Sequence, residues 1–193
     1  MSFTAPPARE RGPTKDGVFP MTKTLNPWRV AGWSALAVLL LVPAVAMRFT
    51  AEVDWDETDF IVMGAMLLAV GLGVEFLFRR SGSAWYRVGA AVAVLAAFLT
   101  VWANLAVGFI RSEDNPYNLL FTGVVGLSLL GAAAVRFRPG GMALVTATAA
   151  LLQAGLALGG LVSDPRGGTF SLMFALPWLV SASLFRAASI SSR

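Results

Sequence analysis

The chain has 193 residues, 56% of them apolar and only 13% charged, with a mean hydropathy of +0.69 and a formal net charge of +4. That share of charge is about half that of an ordinary globular domain and cannot cover a water-facing surface. Neither cysteine nor histidine occurs, which excludes disulfides, thiolate nucleophiles, Cys-type zinc sites, imidazole bases and histidine-ligated haem.

Other functional classes fall with them. The arginines sit at the ends of apolar runs and form no basic stripe with interleaved aromatics, so nucleic acid is not an expected partner. Both lysines, Lys15 and Lys23, precede the first apolar run, and no aspartate lies inside one. A Ser–Lys dyad and a paired-aspartate centre are therefore unavailable in the apolar region, and the composition points away from an enzyme and implies no cofactor or metal.

In chain order, residues 1–27 are rich in proline, arginine and small polar residues, and read as a disordered cytoplasmic tail. Met21 opens MTKTLNPWR and offers a second start. Six apolar segments follow: Trp28–Met47, Phe60–Phe78, Val88–Ile110, Leu119–Val135, Met142–Val162 and Phe170–Phe185. At about 1.5 Å per residue, roughly 20 helical residues cross a hydrocarbon core about 30 Å thick. The first, third and fifth fit; the fourth and sixth are short and need snorkelling arginines or local thinning. No run alternates with period two, so a β-barrel is not expected.

The expected fold is all-α: a polytopic bundle of six transmembrane helices over residues 28–187, with a short cytoplasmic tail at 188–193. One rival stands for the first span. Arg29, the apolar run and Ala44-Val45-Ala46 also have the form of a signal peptide, whose cleavage would leave five spans.

Orientation follows from the basic residues. With a cytoplasmic N-terminus, that side receives Arg9, Arg11, Lys15, Lys23, Arg29, Arg79, Arg80, Arg87, Arg136, Arg138, Arg186 and Arg193; only Arg48, Arg111 and Arg166 face outward. Eight of the eleven acids lie on the outward side. Every loop agrees with the same expected orientation, in which both termini are cytoplasmic.

The first outward loop, AEVDWDETDF, concentrates five carboxylates between Glu52 and Asp59. Asp56 has the position of an N-cap and Asp59 that of its capping-box partner. A cation site from Asp54, Asp56 and Asp59 is the sharper reading, but the glycine and bidentate glutamate of a calcium loop are missing. In the second loop, RSEDNPYNLLF, Asn115 followed by Pro116 predicts a helix start. Glu113 and Asp114 extend the outward acidic surface of Asp54, Asp56 and Asp59, on which a partner or ion could dock. The third loop, SDPRGG, reads as a turn in which Arg166 offsets Asp164.

Polar residues inside the spans are few. Asn104, Gln153 and Ser128 must find partners in the bundle. They serve either as interhelical hydrogen bonds or, with the deep Trp102, as the lining of a small-molecule pocket. Trp178, beside Pro177, is equally deep. Glu75 is the only acid within an apolar run and has Arg79 at i+4, the spacing of an ion pair; a proton-carrying carboxylate is the alternative. For packing, Gly155 and Gly159 form a GxxxG pair, Gly71 and Gly73 loosen the second segment, and Gly89, Ala90, Ala93 and Ala97 line the third. The endings FLFRRS, VRFRPG and SLFRAA echo one another, as either hairpin triplication or the positive-inside rule would produce.

The stretches VDWDETDF, WANLAVGFIRSEDNPYNL and SLFRAA resemble a group of small bacterial polytopic membrane proteins of uncharacterised function, over most of the chain after Met21. The resemblance implies the helical fold and the membrane location, and no catalytic residue. Two functions remain: a non-enzymatic accessory or scaffold component that meets membrane lipids, a membrane protein partner or a second copy of itself; or a small-solute transporter or substrate-binding transport subunit. A water-accessible cavity lined by Trp102, Asn104 and Gln153 would favour transport.

Overall fold

The computed structural model describes residues 1–2, 27–112 and 114–191. The expectations for residues 3–26, Glu113 and residues 192–193 lie outside that set. Among the described residues the chain is helical without strands: α1 (Pro27–Ala46), α2 (Glu57–Phe78), α3 (Ala84–Val107), α4 (Asn118–Ala134), α5 (Pro139–Gly160), α6 (Pro165–Leu172) and α7 (Ala175–Ser191). Five stretches are long and apolar enough to cross a membrane: α1, α2, α3, α5, and α6 with α7 taken together. Helix α4, at 17 residues, is shorter.

Local chemistry sets most boundaries. The side chain of Asp56 accepts hydrogen bonds from the N–H of Thr58 and Asp59 at 2.7 and 3.0 Å, and Asp59 accepts from the N–H of Asp56 at 3.0 Å, so α2 starts with the expected capping box. Ser83 caps α3 through the N–H of Tyr86. Helix α3 stops at Val107, three residues before the apolar run does. Gly108 adopts φ 65°, a conformation that costs glycine nothing, and the chain turns so that Phe109 and Ile110 fold back into the interior. Asn115 does not cap α4: its side chain accepts the N–H of Tyr117 within a tight turn over 115–118, and the helix starts only at Asn118, after Tyr117.

The last apolar run is two helices, not one. The break falls at Met173 and Phe174, where the bonds Met173 N–H to Phe170 and Phe174 N–H to Ser171 span three residues instead of four. Pro177 explains the place: it has no N–H for the carbonyl four residues earlier, Met173, and its ring crowds that carbonyl. Helix α7 then continues to Ser191.

Helix α7 packs against both α3 and α5; α4 closes on α3 and α5. Small side chains make many of the contacts, as association among apolar surroundings favours, alongside larger ones such as Tyr86 of α3 against Phe185 of α7. Ala90, Ala93 and Ala96 of α3, Ala149, Ala150 and Ala157 of α5, and Ala182 and Ala188 of α7 are all buried. Gly89 lets α7 come so close that an added methyl group would stand 3.2 Å from Leu184 Cβ. Gly71 also marks a close approach, seating the Trp33 ring of α1, which a methyl group there would meet at 2.6 Å. Gly155 meets nothing within 4 Å, whereas Gly159 faces the Tyr117 hydroxyl, so the GxxxG pair is not one shared interface within the chain.

Helix α2 joins this body along α3, and α1 packs on α2. No residue of α1 is buried. Large apolar side chains stand exposed around the bundle, among them Leu129, Leu130, Leu144 and Leu151. A water-soluble protein would not leave such a surface bare.

Candidate functional site

At the end of the bundle carrying the acidic loops, Asp54, Asp56, Asp59 and Asp114 are all exposed. Asp56 and Asp59 turn their carboxylates to backbone N–H groups of the helix start. Asp164 does more than close a turn. It caps α6 through the N–H of Gly167 at 2.9 Å and accepts the N–H of Arg111 at 2.8 Å, joining two loops. These backbone donors, Gly167 first and then Arg111, hold its carboxyl below the ordinary aspartate range despite some desolvation.

The interior polar groups tie helices together. Asn104 donates to the Asn118 carbonyl at 2.8 Å and to Thr122 Oγ1 at 3.1 Å, linking α3 to α4. Asn118 accepts the N–H of Ile110 at 2.9 Å and donates to Ser112 O at 2.7 Å, which satisfies the backbone of the inward-folded loop. Ser181 donates to Gly89 O at 2.8 Å, locking α7 to α3. Both tyrosines of the chain do the same work: Tyr86 donates to Phe137 O at 2.8 Å and Tyr117 to Leu156 O at 2.9 Å. The first of these steadies a strained corner, since Arg136 and Phe137 both carry positive φ, 54° and 57°. Phe76 stacks edge-on against Phe137, and the Arg80 guanidinium lies over both rings.

The expected pocket residues go to separate places. Trp102 is 40% exposed and stacks on Phe98. Asn104 is engaged with α4, Ser128 bonds its own helix at Val124 O, and Gln153 is 0% exposed. Among the described residues the amide of Gln153 has no hydrogen-bond partner at either end, and neither has the indole N–H of Trp178. Glu75 pairs with Arg79 as its spacing predicts, and also with Arg29 of α1, 46 residues away. That second partner is invisible to any local pattern.

Three clefts stand out, and none of Trp102, Asn104 and Gln153 lines any of them. The first, about 390 Å³, lies between α2 and α4 with α3 as its floor; Gly73, Ala97, Val101, Ser128, Leu129 and Trp178 are on its walls, which are almost wholly apolar. The other two adjoin one another beside α1, α2 and the start of α3. Among the described residues no three acids converge into a metal-holding group. No family model, curated protein or solved structure matches this chain, so its function has to be argued from the geometry.

Proposed function

We propose that this is an integral protein of the bacterial inner membrane, crossing it six times with both termini cytoplasmic, and that it works as a non-enzymatic accessory or scaffold component through helix contacts. The apolar helices and their exposed leucines support membrane insertion. Helix α4 would be the sixth crossing: its 17 residues rise about 25 Å, a shortfall that thinning and the flanking Arg136 and Arg138 absorb.

The observation that carries the scaffold reading is the 390 Å³ cleft between α2 and α4. Its small residues, Gly73 and Ala97, leave a recess at the depth of the hydrocarbon, where a partner's transmembrane helix gains close van der Waals contact. Of the polar side chains that would line a solute path, Asn104 is bonded to α4 and Gln153 is buried away from the cleft, while Ser128 reaches the cleft wall with its hydroxyl bonded to Val124 O.

Replacing Val101 by a photo-crosslinking residue tests this in cells. A single membrane protein, or a second copy of the chain, should be captured in high yield; the same residue at Leu151, which does not line the cleft, should capture lipid alone. Protein-dependent uptake of a solute into vesicles, with no captured protein, would overturn the scaffold reading. For orientation, Asp54→Cys should react with an impermeant reagent in intact cells and Ser83→Cys should not.

A further inference from the structure

We infer that the two adjoining clefts at the arginine-rich end form one binding site for an anionic phospholipid, with the head group between α1 and α2 and an acyl chain along α3. This rests on the membrane placement proposed above, and not on the scaffold role.

The head-group half, about 670 Å³, is walled by Arg29, Arg79 and Arg87 with a single acid, Glu75, alongside Trp28 and Trp33. Glu75 binds both Arg29 and Arg79, which holds two guanidinium groups side by side, each with donors to spare. Arg87 is aimed by its own loop, donating from Nε to Ser81 O at 3.1 Å. Three guanidinium groups against one carboxylate leave an excess of positive charge, and their forked donors suit phosphate oxygens. An indole at the same level suits the boundary between hydrocarbon and head groups.

The second half identifies the ligand as a lipid. The neighbouring groove, about 820 Å³, shares Trp28, Phe78 and Arg87 with the first and continues along Ala84, Val88, Ala91 and Leu95 of α3. From Ala84 to Leu95 the helix rises about 16 Å, close to half of a hydrocarbon core about 30 Å thick. A groove that starts at a cationic rim and runs one leaflet deep fits a phosphate with an acyl chain attached. Free phosphate would use the rim and leave the groove unused.

Native mass spectrometry of the purified protein, offered dioleoyl phosphatidylglycerol and dioleoyl phosphatidylcholine in equal amounts, tests the assignment. The wild type should retain the anionic lipid preferentially. Arg87→Gln should cut that retention about fivefold, the effect of one arginine near an anionic surface. Arg80→Gln, a charge control engaged with Phe76 and Phe137 and lining neither of these two clefts, should leave it unchanged. Ala91→Trp, which fills the groove, should lower retention of both lipids and serves as the test if Arg87→Gln fails to fold.

Equal retention of the two lipids by the wild type would overturn the inference. So would an equal loss from Arg80→Gln, which would assign the preference to bulk charge, and so would complete displacement by inorganic phosphate, which would assign the rim to a soluble anion. Each of these can occur in a detergent-extracted protein with or without a captured partner, so failure here is distinct from failure of the scaffold reading.

Discussion

The α1–α2 hairpin and the α3–α7 body are both built from apolar sequence and yet are held by different means. The most apolar window of α2 has a mean hydropathy of 2.3 with 17% of it buried, and that of α1 has 1.8 with none buried; the least apolar, over Pro165–Ser191, has 1.5 and is 39% buried. Among surroundings as apolar as leucine, a large side chain gains little by turning inward, and interiors go to alanine, glycine and serine that let backbones approach. Hydropathy by itself does not rank burial here: the α3 window, at 2.1, is 33% buried, and that of α1, at 1.8, is not buried at all.

The contrast can be broken most severely at Gly89. Leucine there would drive into Leu184 and Phe185 and separate α3 from α7, with an expected loss of about 1–3 kcal/mol and a clear fall in the melting temperature in detergent. Leucine at Gly155, which meets nothing within 4 Å, should leave the stability within about 0.5 kcal/mol of wild type and the melting temperature nearly unmoved. If both melt alike, the distinction between the interior of the body and its outer face is lost.

A smaller effect of opposite sign is expected at Gln153. Its amide is buried without partners, so Gln153→Leu should stabilise the body by about 1 kcal/mol in thermal unfolding. Destabilisation would mean that the amide is held by something the chain itself does not supply.

The loops of the body bring a pH dependence. Because backbone donors lower the folded pKa of Asp164, its stabilising contribution is complete above the ordinary aspartate range and is lost as the pH falls through the lowered value. Acid titration of the melting temperature should show this loss in the wild type and a shallower slope in Asp164→Asn.

Least costly should be Arg29→Gln in the hairpin. The Arg29–Glu75 pair is half exposed on the arginine side, where water screens the attraction, so it contributes little to stability. Global melting should barely move, while spin labels on α1 and α2 should report a broader distance distribution. A sharp global transition at lower temperature would show that α1 is integral to the body.

What was legible beforehand is whatever depends on neighbours in sequence. The capping box of Asp56 and Asp59 and the pair of Glu75 with Arg79 are such features, since their partners lie three and four residues apart. Gly89, Ala90 and Ala93 were identifiable as a packing face because small residues at helical spacing serve few other purposes. The early end of α3 was hidden, because Phe109 and Ile110 are as apolar as the helix before them; only Gly108 hinted at the turn. The candidate pocket of Trp102, Asn104 and Gln153 was drawn from depth alone, and depth does not say which way round a helix a side chain points.

The amino-acid sequence by itself determined that the chain is helical, where its apolar runs lie, and which of their ends carry charge. Those properties follow from hydropathy and from hydrogen bonds closed within a few residues. Only the tertiary structure decided that α7 lies between α3 and α5, that Glu75 reaches Arg29, and that the clefts form beside α2 and not around Gln153. The reason is physical: when every helix is apolar on all sides, hydropathy no longer distinguishes inside from outside. The choice passes to shape, to where two backbones can come close enough for Ser181 to reach the carbonyl of Gly89.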